Sequence, residues 1–172
     1  MADLAEIKLL VMDVDGVLTD GSIIVNADGS ETKSFNVLDG HGIRLWQRAG
    51  LKTAIISGRA SGPTKIRAEQ LGIEHVLEDC HYKLPVLEKL LDELGLLPEN
   101  TAYIGDDLPD LPVIRYVGFG VAVANAVEDV KKYADYVTDR PGGTGAVREV
   151  IEHILKSNGK WQDLTQRYLP DA

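Results

Sequence analysis

Short apolar runs alternate along the chain with stretches whose apolar residues recur every three to four positions. Ile7 to Met12 is apolar almost without a break, which predicts a strand buried on both faces. Residues 22–36 read differently. Two β-prone segments flank Asp28-Gly29, a pair that takes the positive φ of a tight turn, so a β-hairpin is predicted. Helical spacing follows from about Asp39 to Ala49 and stops at Gly50. The alternation then repeats. Strands are predicted at Lys52–Ile56, His75–Leu77, Thr101–Ile104, Val117–Val121 and Tyr136–Thr138. Helices are predicted at Ser61–Leu71, over the Leu84–Leu94 stripe, at Pro109–Arg115, Ala126–Lys132 and Gly145–Lys156. This order predicts an α/β fold, a doubly wound, mostly parallel sheet with a hairpin inserted after the first strand. No repeat, linker or low-complexity segment divides the 172 residues, so a single domain is expected, its tail beginning near residue 157.

Composition narrows the chemistry. Eighteen Lys and Arg against 27 Asp and Glu give a net charge of −9, which argues against nucleic acid. A site for a small anion must then gather its own cations. No apolar run approaches the roughly 20 residues a bilayer requires, and the first residues lack a basic stretch ahead of an apolar one. The single cysteine, Cys80, precludes an internal disulfide; it reads as a small packed residue in a cytoplasmic protein.

In doubly wound sheets, ligands bind beyond the carboxyl ends of the strands. The residues expected there are Asp13-Val14-Asp15-Gly16-Val17-Leu18-Thr19-Asp20-Gly21, Ser57-Gly58-Arg59, Lys83, and Gly105-Asp106-Asp107. Paired carboxylates suit magnesium, which prefers oxygen ligands, so Asp13, Asp15 and Asp106 are the candidate metal residues. A carboxylate can also attack phosphorus, the role read for Asp13, while Asp15 serves as acid and base. Lys83 offsets the charge of an incoming phosphate, and Ser57 holds phosphoryl oxygens. Asp107 and Asp110 either steady Asp106 or cap the short helix. Trp46 and Trp161 read as packing residues.

These four ordered segments resemble the motifs of the haloacid dehalogenase superfamily. The hairpin, Phe35-Asn36-Val37-Leu38-Asp39-Gly40-His41-Gly42-Ile43, and Gly142-Gly143-Thr144-Gly145-Ala146-Val147-Arg148-Glu149 narrow the likeness. They are similar to the 3-deoxy-D-manno-octulosonate 8-phosphate phosphatases, the branch without a cap domain. That resemblance implies a Mg2+-dependent phosphatase for this eight-carbon sugar acid, feeding lipopolysaccharide synthesis. It also implies a homotetramer whose hairpins pack together and whose sites are completed by a neighbouring subunit. Substrate contacts are implied for Asp15, Asn36, Val37, Leu38, Asp39, Gly40, Arg44, Arg59, Arg67 and Lys83. The arginines suit a substrate carrying both carboxylate and phosphate. His41 either touches substrate or caps the helix. The tail from Gly159 matches the family loosely and is either a docking helix or a disordered end.

Three alternatives compete. A nine-carbon 2-keto acid phosphate would use the same chemistry, since one methylene or hydroxyl changes binding by only about 1–3 kcal/mol. A signalling receiver domain also uses aspartate, magnesium and lysine, but in a different order along the chain. A non-catalytic relative would have no need of Asp13, Asp15, Lys83 and Asp106 together.

Overall fold

The computed structural model describes residues 3–169. Its main sheet has six parallel strands: β1 (Leu9–Met12), β4 (Lys52–Ile56), β5 (His75–Leu77), β6 (Thr101–Gly105), β7 (Phe119–Ala122) and β8 (Tyr136–Val137). They lie in the order β5-β4-β1-β6-β7-β8. Every residue of β1 has 0% exposure, as an apolar run covered on both faces requires. A separate antiparallel pair, β2 (Ile24–Val25) and β3 (Glu31–Thr32), forms the inserted hairpin, turned at Gly29 with φ 82°. No cap domain is present among the described residues. No helix among them is long and apolar enough to cross a membrane.

Helices α1 (Val37–Arg48), α2 (Gly62–Leu71) and α6 (Ala146–Ser157) cluster on one side of the sheet, with α1 packed along α6. On the other side lie α3 (Lys83–Leu94), α4 (Leu111–Ile114) and α5 (Glu128–Tyr133). The α1–α6 approach depends on Gly42, where a Cβ would stand 3.2 Å from the Arg148 Cα. Both helices are capped through side chains near one end of the sheet. Asn36 accepts from the Leu38 N–H at 2.8 Å, so α1 begins two residues earlier than its apolar spacing predicts. Asp39, inside α1, accepts from the Arg148 N–H at 2.8 Å and the Gly145 N–H at 3.3 Å, capping α6 across the interface.

Several boundaries differ from the sequence expectation, two of them for evident local reasons. The strand expected from Val117 begins at Phe119, because the Val117 N–H still bonds the Val113 carbonyl and finishes α4. The helix expected over Pro109–Arg115 is a 3-10 turn, Leu108–Asp110, running into α4. Of the two readings of the tail, the helical one holds for its first part. Helix α7 (Trp161–Gln166) lays Trp161 beneath Arg148 and Lys156, 5.3 and 5.1 Å from its ring. Residues 1–2 and 170–172, at the two ends of the chain, lie outside the described residues.

Candidate active site

Strand β1 sits at the switch point of the sheet, where connections leave toward β4 on one side and β6 belongs to the other wing. At the carboxyl ends of these strands lies a cleft of about 250 Å³ lined by Asp13, Asp15, Ser57, Arg59, Lys83, Asp106, Asp107 and Asp110. The chain brings all four sequence motifs to it.

Lys83 opens α3, and its side chain is 3% exposed. Its ammonium lies 2.9 Å from Asp13 Oδ1 and 2.6 Å from Asp110 Oδ1. Burial works against that charge, but Asp13 and Asp110 outweigh it and hold the Lys83 pKa above its ordinary value. Asp110 is saturated. Oδ1 accepts from Lys83 and from the Tyr103 hydroxyl at 2.5 Å, and Oδ2 accepts from the Asp106 and Asp107 N–H groups at 3.0 and 3.2 Å. Asp107 Oδ1 accepts from the Leu108 N–H and caps the 3-10 turn. Both readings of the acidic pair therefore hold, one for each residue.

Asp13, Asp106 and Asp110 bring carboxylate oxygens within 4.8 Å of one another. Asp13 also accepts from the Val14 N–H at 2.7 Å. Burial, and then the charge of Asp110, push the Asp13 carboxyl up to about 7 despite Lys83. Asp106 is likewise pushed up to about 7, first by burial and then by Asp13 and Asp110. No side-chain hydrogen bond or ion pair engages the Asp106 carboxylate among the described residues. With Asp110 fully occupied, Asp13 and Asp106 are left as two close carboxylates with one ammonium between three acids. This is a donor set that fits a hard divalent cation. Gly16 keeps the approach open: its φ is 92°, and a Cβ there would run into the Asp106 carboxylate.

The Asp15 side chain points away from the other two expected metal residues. Its carboxylate is not one of the three that converge but turns to the Lys33 ammonium, on the strand-end segment after β3. Ser57 is buried at the cleft wall, its Oγ 3.3 Å from the Arg59 N–H. Arg59 is half-exposed and bonds Glu31 Oε1 at 3.2 Å.

Within one chain, the remaining expected substrate residues do not line this cleft. Asn36 caps α1 and donates to the Gly143 carbonyl at 3.3 Å, Asp39 caps α6, and Gly40 packs against Arg67. Val37 and Leu38 face outward, 76% and 45% exposed. Arg44 donates to the Gln70 carbonyl at 2.9 Å, and Arg67 lies 6.0 Å over the Phe35 ring. His41 meets the Tyr168 hydroxyl at 3.2 Å. Cys80 is buried, and burial pushes its thiol pKa up, away from reactivity. Trp46 is a core residue whose Nε1 donates to the Lys52 carbonyl at 2.7 Å. In a larger hollow of about 410 Å³ beside α6, Glu152 pairs with Arg148 and Lys156, and Glu149 bonds Tyr136.

Three participants escaped the sequence reading: Lys33, Glu31 and Tyr103. Signals for them exist. Glu31 and Lys33 are two apart in β-prone sequence, where alternate side chains share a face, and a tyrosine in a buried strand needs a partner for its hydroxyl.

Residues 75–151 match the haloacid dehalogenase-like hydrolase family. The chain is 47% identical over 160 residues to the 3-deoxy-D-manno-octulosonate 8-phosphate phosphatase KdsC of Escherichia coli, covering 93% of this chain and 85% of that one. It superposes on the 3-deoxy-D-manno-octulosonate 8-phosphate phosphatase of Moraxella catarrhalis, solved in complex with a magnesium ion, a phosphate ion and a KDO molecule. That match has a TM-score of 0.95 and 44% identity, over 96% of this chain and 95% of that one. The corresponding Yersinia pestis phosphatase matches with a TM-score of 0.91 and 46% identity, over 92% and 86% of the two chains.

Proposed function

Since the chain belongs to the haloacid dehalogenase-like hydrolases, in the family of the 3-deoxy-D-manno-octulosonate 8-phosphate phosphatases, we propose that it hydrolyses 3-deoxy-D-manno-octulosonate 8-phosphate to the free sugar acid and phosphate. It is a phosphoric monoester hydrolase. The observation that carries the mechanism is the buried Lys83 ammonium 2.9 Å from Asp13, beside an Asp106 carboxylate that no side chain among the described residues hydrogen-bonds or pairs.

Asp13 is the nucleophile. Its carboxylate oxygen bonds to phosphorus as the bond from phosphorus to the sugar oxygen breaks, and the electron pair leaves on that oxygen. The Asp15 carboxyl gives its proton to the departing oxygen. Asp15, now a carboxylate, takes a proton from water, whose oxygen attacks phosphorus and releases phosphate and the Asp13 carboxylate. Lys83 favours the ionised form of Asp13 and holds it in place, and Asp110 keeps Lys83 in place. Magnesium, held by Asp13 and Asp106, supplies charge neutralisation for the phosphoryl oxygens and the nucleophile when bound. Ser57 and nearby N–H groups hold phosphoryl oxygens, and Arg59 takes the substrate's anionic end.

We assign the whole chain to one phosphatase domain acting in the cytoplasm, on the route to lipopolysaccharide. The hairpin leaves Ile23, Ile24 and Val25 between 45% and 69% exposed, an apolar surface that supports a homotetramer with hairpins packed together. In that assembly the Asn36–Gly40 segment, through its exposed Val37 and Leu38, together with Arg44 and Arg67, is the surface through which neighbouring subunits complete the site.

Phosphate release from a panel of sugar phosphates with magnesium tests the reading. The eight-carbon acid phosphate should dominate, Asp13→Asn should abolish release, and Asp15→Asn should cripple turnover while magnesium still binds. Release from a nine-carbon 2-keto acid phosphate alone would overturn the substrate. No release from any ester would overturn the activity.

A further inference from the structure

The hairpin does more than protrude from the sheet. The segment following β3 reaches back across the chain, and the Lys33 side chain, 1% exposed, delivers its ammonium to the Asp15 carboxylate. The same ammonium stands 3.6 Å from Glu31, which in turn bonds Arg59 at 3.2 Å. Asp15, Lys33, Glu31 and Arg59 thus alternate in charge from the loop after β1, through the hairpin, to the loop after β4. Such a lysine is rare away from a surface, because an ammonium loses its hydration on burial and needs a fixed partner in return. The partner here is the side chain that the proposed function makes the acid and base.

We propose that Lys33 is a positioning residue for Asp15: it fixes the direction of the Asp15 carboxylate toward the leaving oxygen, so that the hairpin forms part of the catalytic apparatus. This rests on the reading of Asp15 as the proton donor. The loop that carries Asp15 gives it little else, because Gly16 beside it is the most permissive of residues and the Asp15 carboxylate has no other side-chain partner among the described residues. Proton transfer needs heavy atoms within hydrogen-bond reach, and displacement of about 1 Å costs on the order of a hundredfold.

The test compares two leaving groups in each of three proteins. An alkoxide leaves only with a proton, whereas p-nitrophenolate leaves without one. kcat/KM reports the steps through departure of the leaving group, so the ratio of kcat/KM for a primary alkyl phosphate without a carboxylate, which makes no use of Arg59, to that for p-nitrophenyl phosphate isolates proton donation. That ratio is also independent of the fraction of active protein. Lys33→Met should lower the ratio by about 10- to 100-fold, with the aryl ester itself falling by at most about threefold. Lys33→Arg, which restores a cation at the same site, should recover most of the ratio. Lys33→Gln replaces Lys33→Met if that variant does not fold. An unchanged ratio in Lys33→Met, or an arginine variant no better than it, would overturn the proposal. If the wild type ignores the eight-carbon acid phosphate but cleaves another primary alkyl phosphate, the substrate reading fails. The same ratio measured on that ester still decides the role of Lys33.

Discussion

Replacing Lys83 with methionine keeps most of the side-chain volume and removes one charge from a site holding three carboxylates. The ammonium is 2.9 Å from Asp13 and 2.6 Å from Asp110. At an effective dielectric of about 20, opposite unit charges at the longer distance attract by roughly 6 kcal/mol. Burial of the ammonium offsets part of this, and removing one member of a buried ion pair typically costs about 3–5 kcal/mol. For a chain of this size that is a melting temperature lower by roughly 6–20 °C. The loss should depend on pH. Asp13 and Asp106 already sit at about 7, raised from 3.8, so their folded forms hold protons that the unfolded chain has released between those values. Stability from that proton uptake is present at low pH and is lost as pH rises through 7. Near pH 5 Asp13 and Asp106 are both neutral and ask little of Lys83. Near pH 8 both are ionised and Lys83 offsets their repulsion, so the variant's deficit should be larger at pH 8. Activity should suffer more than stability, because Asp13 without its cation is held protonated at neutral pH. Removing one preorganised charge that neutralises the phosphoryl group typically costs about 100- to 1,000-fold, so kcat/KM should fall at least ~100-fold. Phosphate release at pH 7 with saturating magnesium, and thermal melts at pH 5 and 8, measure both. A loss of activity below tenfold, or equal melting deficits at the two pH values, would refute this account of Lys83.

Tyr103→Phe deletes one charge-assisted hydrogen bond to Asp110 without opening a cavity; it should cost about 1.5–3 kcal/mol by denaturant melts and leave kcat within about tenfold, because Lys83 still holds Asp110. Magnesium should raise the melting temperature more at pH 8 than at pH 5, since protonated Asp13 and Asp106 are poor ligands, and a chelator should reverse the shift and stop phosphate release. Gly16→Ala should abolish magnesium stabilisation at concentrations that saturate the wild type, as its methyl group would displace the Asp106 carboxylate and its φ of 92° disfavours a side chain; calorimetric titration reads the loss directly.

Much of this architecture is written in local pattern. The buried run before Asp13, the alternation of strands and helices, and the Asp-Gly turn fix fold class and hairpin, because period and turn chemistry act over a few neighbouring residues. The motif residues could also be grouped from sequence, since parallel strands all end at one edge and whatever follows them must meet there. Lys83 shows the strength of that argument: it lies 70 positions from Asp13 and arrives within 2.9 Å of it. The division of labour among the acids was not legible. Asp13 and Asp15 are two apart in one loop, yet one turns to Lys83 and the other to Lys33. Asp110 reads as a support for Asp106 or a helix cap, and the structure adds its anchoring of Lys83; nothing in the spacing shows that Asp39 caps a helix more than a hundred residues away. Sequence spacing sets which residues reach an edge of the sheet. Where each carboxylate points is decided by the nearest buried donor, and that donor is brought there by a distant part of the chain.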